Sequence, residues 1–237
     1  MPLSDHIRAL AFDLDNTLWD VEPVIERAER RLHDWLGAHY PRITETFSLE
    51  AMRTARYELA RAEPAHAHDY TWVRVESLAR HARACGYEAA VAEEAFEVFF
   101  AARNEVETFP DVRPALAQLR GRYALASLSN GNADLVRIGL ADLFTVSLNA
   151  RGIGCGKPDR RVFEALASAL AMQPAEIAYV GDDPYLDVEG ARAAGLHTIW
   201  MNRAAAAWPD TLARPDLVVR DCAELVSALC GGPSLGR

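Results

Sequence analysis

The chain has 237 residues, a formal net charge of -9 and half of its residues hydrophobic, enough to bury a sizeable core in one large domain or two unequal ones. That acidic balance repels nucleic acid and anionic membrane, so neither is expected as a partner, and an anionic ligand needs a local positive group or a bound cation. No apolar run of roughly 18 residues and no signal-like start is read, which sets a cytoplasmic expectation.

The first element in chain order is an apolar run, Ile7 to Phe12, read as a buried strand. It stops in DLDNTLWD, which sets Asp13 and Asp15 two residues apart and follows them with the hydroxyl of Thr17. The next hundred residues or so carry no strand signal, only four helical patterns near residues 22–38, 48–62, 69–84 and 89–104. In the first of them Pro23 suits an opening turn, and Ile25, Ala28, Leu32, Trp35 and Leu36 form one apolar stripe, so this helix needs helical neighbours. The segment is read as a helical cap over residues 20–104, inserted into a core made of residues 1–19 and 105–237. Within it His66 and His68 form an HxH on a loop; with no further His or Cys at ligand spacing, a loop face is expected and not a transition-metal site.

The core resumes at FPDVRPALAQL, where Pro110 and Asp111 suit a helix start. Further strands are read at Tyr123 to Leu128, Val146 to Leu148, Ile177 to Val180, Thr198 to Met201 and Leu217 to Val219. Asp159 to Leu170 reads as a helix, Asp221 with Glu224 as the cap of the last one, and the tail from Gly231 as frayed. Strands alternating with helices predict an α/β fold, a Rossmann-like parallel sheet with helices on both faces and the helical bundle as a separate cap.

Two compositional facts bear on chemistry. Cys85, Cys155, Cys222 and Cys230 are scattered without a CxxC pair and read as reduced thiols. Of 25 basic residues, Lys157 is the one lysine.

In an open α/β sheet, ligands sit beyond the carboxyl ends of the strands. Four strand ends carry chemistry here: Asp13, Asp15 and Thr17; Ser129, Asn130 and Gly131; Lys157 in GCGKPD; and Asp182, Asp183 and Asp187 in GDDPYLD. Singly, each reads as well as a turn or a helix cap. Together and in this order, DLDNT, LSNG, Lys157 and GDDPYLD resemble the four motifs of the haloacid dehalogenase superfamily of phosphohydrolases, across the whole core and on a HAD-like fold. The residues support that resemblance: carboxylates converging on one pocket repel each other unless a hard, oxygen-seeking cation joins them, and Mg2+ is the natural choice.

The resemblance implies that Asp13 is a nucleophile that becomes an aspartyl-phosphate. Asp13, the Asp15 carbonyl, Asp182 and Asp187 are the implied metal ligands, with Asp183 left open as a rival to Asp187 or as a helix cap. Asp15 would donate a proton to the leaving oxygen and then serve as base toward water. Dehalogenases of the superfamily lack that second acid, since halide leaves without a proton, so Asp15 argues for phosphate esters. Lys157 would stand between nucleophile and phosphoryl group, and Thr17, Ser129, Asn130 and Gly131 are counted with the substrate-binding groups.

In the cap, DVEPVIERAERRL and AEPAHAHDYTWVRVESL resemble the subgroup acting on FMN and 5-amino-6-(5-phospho-D-ribitylamino)uracil. Trp19, Tyr70, Trp72 and Arg74 are candidate contacts to such a substrate, set against plain cap core for Trp72 and a solvated helix position for Arg74. The expected partner is therefore a small phosphorylated metabolite, and the protein a monomer or homodimer. Rival expectations are a nucleotide 5'-phosphatase or sugar phosphatase of the same superfamily, and a regulatory binding protein on a hydrolase scaffold.

Overall fold

The computed structural model describes residues 6–231. The tail expected to fray lies, beyond Gly231 itself, outside the described residues. In chain order the elements are β1 Ala9–Phe12, α1 Glu22–His39, α2 Pro41–Thr46, α3 Leu49–Ala62, α4 Tyr70–Ala84, α5 Val91–Arg103, α6 Val112–Leu119, β2 Ala124–Ser129, α7 Leu135–Ile138, β3 Val146–Asn149, α8 Ala150–Ile153, α9 Arg160–Leu170, β4 Ile177–Gly181, α10 Gly190–Ala193, β5 His197–Met201, β6 Leu217–Val219 and α11 Cys222–Cys230. A wide π-helical turn, Pro184–Glu189, leads into α10.

The chain forms two compact units. One comprises residues 1–20, 107–131 and 139–237; the other comprises residues 21–106 and 132–138. The first holds a six-stranded sheet in the order β3-β2-β1-β4-β5-β6, every pair parallel. From β1 the order runs outward through β2 and β3 on one side and through β4, β5 and β6 on the other. The switch point is therefore at the carboxyl ends of β1 and its neighbours, where open sheets of this kind bind ligands.

Being covered on both faces, β1 and β4 are apolar at almost every position, ALAF and IAYVG, and all nine residues are buried. On one face Val162, Phe163 and Leu166 of α9 pack on Ala9, Ala126, Leu128 and Tyr179. Asp159 caps α9 by accepting from Arg161 N at 2.9 Å, and Asp221 caps α11 by accepting from Glu224 N at 2.7 Å, as its spacing predicts. Asp111 does not cap α6. Its carboxylate instead takes the Arg203 guanidinium at 2.8 and 3.2 Å and the Cys222 amide at 2.7 Å, tying the start of α11 to the start of α6.

The second unit is helical. Val24, Ala28, Leu32 and Leu36 are the buried stripe of α1; Ala28, Leu32 and Leu36, with Ile25 and Trp35 flanking them, share a core with Ala95, Phe96, Phe99 and Ala102 of α5. Each α4 and α3 start is capped by a side chain, Asp69 to Trp72 N and Ser48 to Ala51 N. Two elements depart from the sequence reading: the short α2 behind Pro41, and residues 132–138, which cluster with this unit through bonds such as Asn104 Oδ1 to Asp134 N, 2.7 Å. The four cysteines are free thiols, and no described helix is long and apolar enough to cross a membrane.

Candidate active site

Parallel pairing of β1 with β4 aligns Phe12 with Val180, and Asp13 N extends the ladder to Val180 O at 2.9 Å. The next residues of both strands therefore emerge side by side. Asp187 comes back to the same point from the turn Pro184–Glu189, and one carboxylate oxygen from each of Asp13, Asp182 and Asp187 lies within 4.8 Å of the others. Gly181 makes that return possible: a Cβ there would sit 2.3 Å from Asp187 Oδ2, so only glycine leaves room.

Lys157 reaches the acids from the loop before α9. Its ammonium has three N–H groups and three partners, Asp13 Oδ1 at 2.5 Å, Asp187 Oδ1 at 2.6 Å and the Tyr179 hydroxyl at 3.0 Å. Tyr179 in turn donates to the Leu128 carbonyl at 2.7 Å. Asp13, Lys157 and Asp187 are buried, and Asp182 is half-buried.

Burial disfavours every charge in this cluster. It pushes the Asp13 carboxyl well above the usual range, with Asp187 and Asp182 adding to the rise and Lys157 opposing it. Asp182 is pushed up to about 6, by burial and then by Asp187. Lys157 loses to burial but gains more from Asp13 and Asp187, and ends well above the ordinary lysine value. One ammonium does not neutralise three carboxylates. A donor set made of hard carboxylate oxygens that is short of positive charge suits a small divalent cation such as Mg2+, so the residues present fit that group.

Around this centre several sequence-predicted residues hold other residues in place. Thr17, expected among the substrate-binding groups, is wholly enclosed; its hydroxyl donates to Asp182 Oδ1 at 3.2 Å and its carbonyl accepts from Arg203 Nε at 2.9 Å, so it braces an acid. Asn130 pairs both ways with the Lys157 backbone, Oδ1 accepting from N at 2.7 Å and Nδ2 donating to O at 3.0 Å. It sets the height of the lysine loop instead of reaching outward. Ser129 Oγ accepts from Gly131 N at 3.0 Å, closing the turn after β2 with the hydroxyl at the sheet's carboxyl end.

Trp19, expected as a stacking face, has no exposed surface, and its indole N–H donates to Asp15 Oδ1 at 2.8 Å. Asp183 caps the following turn, Oδ1 accepting from Tyr185 N and Leu186 N at 2.8 Å each. That leaves Asp187 as the residue grouped with Asp13 and Asp182.

Arg74 is neither a solvated helix position nor a free donor. It is buried in the helical unit, 3.5 Å from Glu29 Oε1 and 3.4 Å above the Phe99 ring. Tyr70 at the start of α4 is half-exposed, and Trp72 stacks on His66 at 4.1 Å, which accounts for one member of the HxH pair.

Sequence reasoning missed Tyr179, Trp200 and Arg203. Trp200 Nε1 donates to the Asp182 carbonyl at 2.8 Å, fixing the loop after β4. Tyr179 lies in a strand buried on both faces, where alternation carries no signal.

Comparison with known proteins adds the following. A family described as haloacid dehalogenase-like hydrolase matches residues 7–195. The Escherichia coli 5-amino-6-(5-phospho-D-ribitylamino)uracil phosphatase YigB is 33% identical over 82% of this chain and 83% of its own length. A Thermus thermophilus phosphoserine phosphatase is 41% identical over 58% of this chain and 57% of its own length. The solved structure of a 2-haloacid dehalogenase from Pseudomonas syringae pv. Tomato superposes with a TM-score of 0.88 at 35% identity, covering 95% of this chain and 99% of that one.

Proposed function

The chain belongs to the haloacid dehalogenase-like hydrolases, and from that premise we propose that it is a phosphomonoesterase working through an aspartyl-phosphate on Asp13. The observation that carries the proposal is the convergence of Asp13, Lys157, Asp182 and Asp187 at the switch point of the sheet, with a second acid, Asp15, two residues beyond the nucleophile.

Asp13, Asp182 and Asp187, together with the Asp15 carbonyl that the family resemblance implies, would hold Mg2+, which when bound would offset the negative charge of the acids and of a phosphoryl group. In the first half-reaction an Asp13 carboxylate oxygen attacks phosphorus, the bond from phosphorus to the ester oxygen breaks, and Asp15 gives that oxygen its proton. In the second, water attacks phosphorus, its proton passes to Asp15, and the bond from Asp13 to phosphorus breaks to release phosphate. Lys157 steadies Asp13 in its ionised form and sets its positive charge beside the phosphoryl group that Asp13 attacks, while the Ser129 hydroxyl and neighbouring amides would bind phosphoryl oxygens. Thr17, Asn130 and Trp19 serve this chemistry by fixing Asp182, Lys157 and Asp15.

For the substrate we propose a small phosphorylated metabolite with 5-amino-6-(5-phospho-D-ribitylamino)uracil or FMN as leading members. Support comes from the cap segments noted in the sequence and from the E. coli relative, which aligns along most of both chains. The dehalogenase of known structure favours a second reading, halide displacement from a 2-haloacid. Asp15 speaks against it, because a departing halide needs no proton.

One experiment separates these readings. The Mg2+-loaded protein is assayed for phosphate release from FMN, the ribitylaminouracil phosphate, phosphoserine, nucleotides and sugar phosphates, and for halide release from 2-haloacids. Preference for one phosphate ester supports the proposal and names the substrate. Halide release without phosphate release overturns it, and uniform weak hydrolysis removes the riboflavin-type assignment.

A further inference from the structure

We infer that Trp19 is a positioning residue for Asp15, its indole N–H holding one carboxyl oxygen so that the other carries the proton to the leaving group. This deepens the phosphomonoesterase reading and rests on it.

The turn between Asp13 and Trp19 is built to bring the two side chains together. Leu18 N returns to Leu14 O at 2.8 Å, Asn16 takes a left-handed conformation at φ 63°, and its N–H donates to Trp19 O at 2.7 Å. Asp15 and Trp19 thereby form an isolated bridge, and the indole closes it from the side-chain end with the 2.8 Å bond to Asp15 Oδ1. The ring is wholly enclosed, so it cannot swing to a solvent partner, whereas Asp15 is half-buried and reachable.

An indole nitrogen only donates. Asp15 Oδ1 is therefore an acceptor in both halves of the reaction, as carboxylate oxygen or as the carbonyl of the acid, and the transferable proton belongs on Oδ2. The last torsion of a carboxyl group is broad and two-fold, so its two oxygens can exchange places, and the indole bond restrains that turn. Holding one fixed is what aligns the other for transfer as the ester oxygen leaves phosphorus. The residue thus acts through Asp15 and touches no substrate itself.

The test replaces Trp19 by Phe, which removes the N–H and keeps most of the ring. It compares kcat/KM for an alkyl phosphate, whose oxygen must be protonated, with that for p-nitrophenyl phosphate, whose oxygen leaves unaided. Because kcat/KM reads the steps up to phosphoryl transfer to Asp13, the later hydrolysis does not confuse the comparison. The expected result is a loss for the alkyl ester about tenfold larger than for the aryl ester.

Should the Phe variant fold poorly, site-specific benzothienylalanine at position 19 keeps the shape of the indole and deletes only the donor, and the same differential loss is expected. Equal losses for both esters, or none, would overturn the inference and leave phosphatase activity standing. Wild-type protein that frees no phosphate from either ester overturns the functional reading and this inference with it.

Discussion

The Lys157 ammonium stands 2.5 Å from Asp13 Oδ1, both groups buried, so the one lysine of the chain is the counter-charge of the proposed nucleophile. Replacing Lys157 by Met leaves Asp13 and Asp187 facing each other in a low-dielectric site. Removal of one partner from a buried ion pair costs about 3–5 kcal/mol. Thermal melting of the metal-free variant should drop accordingly, and kcat on the best phosphate ester should fall by at least about 100-fold. Unchanged kcat would remove Lys157 from the mechanism.

Tyr179→Phe tests the support beneath that lysine. The hydroxyl accepts from Lys157 Nζ and donates to Leu128 O, so its loss orphans a buried N–H and a buried carbonyl. A destabilisation of about 1–3 kcal/mol is expected from chemical denaturation, with a smaller loss of kcat than for Lys157→Met. A neutral substitution would mean that water replaces the hydroxyl.

Gly181→Ala puts a methyl group 2.3 Å from Asp187 Oδ2 and 2.4 Å from its Cγ. Either Asp187 withdraws from the acid cluster or β4 shifts, at about 1–3 kcal/mol. The variant should fold, bind Mg2+ more weakly and turn over more slowly; calorimetric titration with Mg2+ at wild-type affinity would show that Asp187 contributes nothing to binding.

Mg2+ should stabilise the folded protein by mass action, by about 2.7 kcal/mol at a hundredfold excess over its Kd. A melting series against Mg2+ concentration reads this without any substrate. Asp182→Asn removes one of the three clustered carboxylates and should flatten the series, and EDTA should abolish phosphate release. A melting temperature blind to Mg2+ would count against the cation.

The helical unit offers a pH test apart from catalysis. Glu29 is buried among Arg53, Arg56 and Arg74, with contacts of 2.7, 2.7 and 3.5 Å. Burial raises its carboxyl, but the arginines outweigh that and hold it below the ordinary value of 4.5. A depressed folded-state value means that Glu29 stabilises the protein above about pH 4.5, and that the stabilisation fades as pH falls through the lower value of the folded state. Glu29→Gln should cost about 3 kcal/mol at pH 7, and the gap to wild type should narrow in acid. Urea denaturation at pH 7 and pH 4 measures both; a gap independent of pH would show that Glu29 acts by shape alone.

Much of this was legible in the residues because the forces concerned are local. Buried parallel strands must be apolar on both faces, so β1 and β4 stand out, and an amphipathic stripe with no sheet to meet gives away α1. Acids and a lysine that follow such strands converge because the ladder puts strand ends together. Side-chain direction is a different matter. Thr17, Asn130 and Trp19 have the types of ligand-binding residues, yet their partners are Asp182, Lys157 and Asp15, and only the tertiary fold decides that. The short α2 and the turn Pro184–Glu189 escaped for another reason: six residues are too few to show a period.

An arginine-rich chain whose one ε-amine is enclosed beside Asp13 and Asp187 has no exposed lysine for acylating reagents, isopeptide tags or amine-coupled surfaces. Surface guanidinium groups keep their charge at any workable pH, so the arginine share of its positive charge stays constant while the acids and the seven histidines titrate. Any agent that does acylate a side-chain amine of the folded protein must reach the pocket of Asp13 and Asp187 to do so.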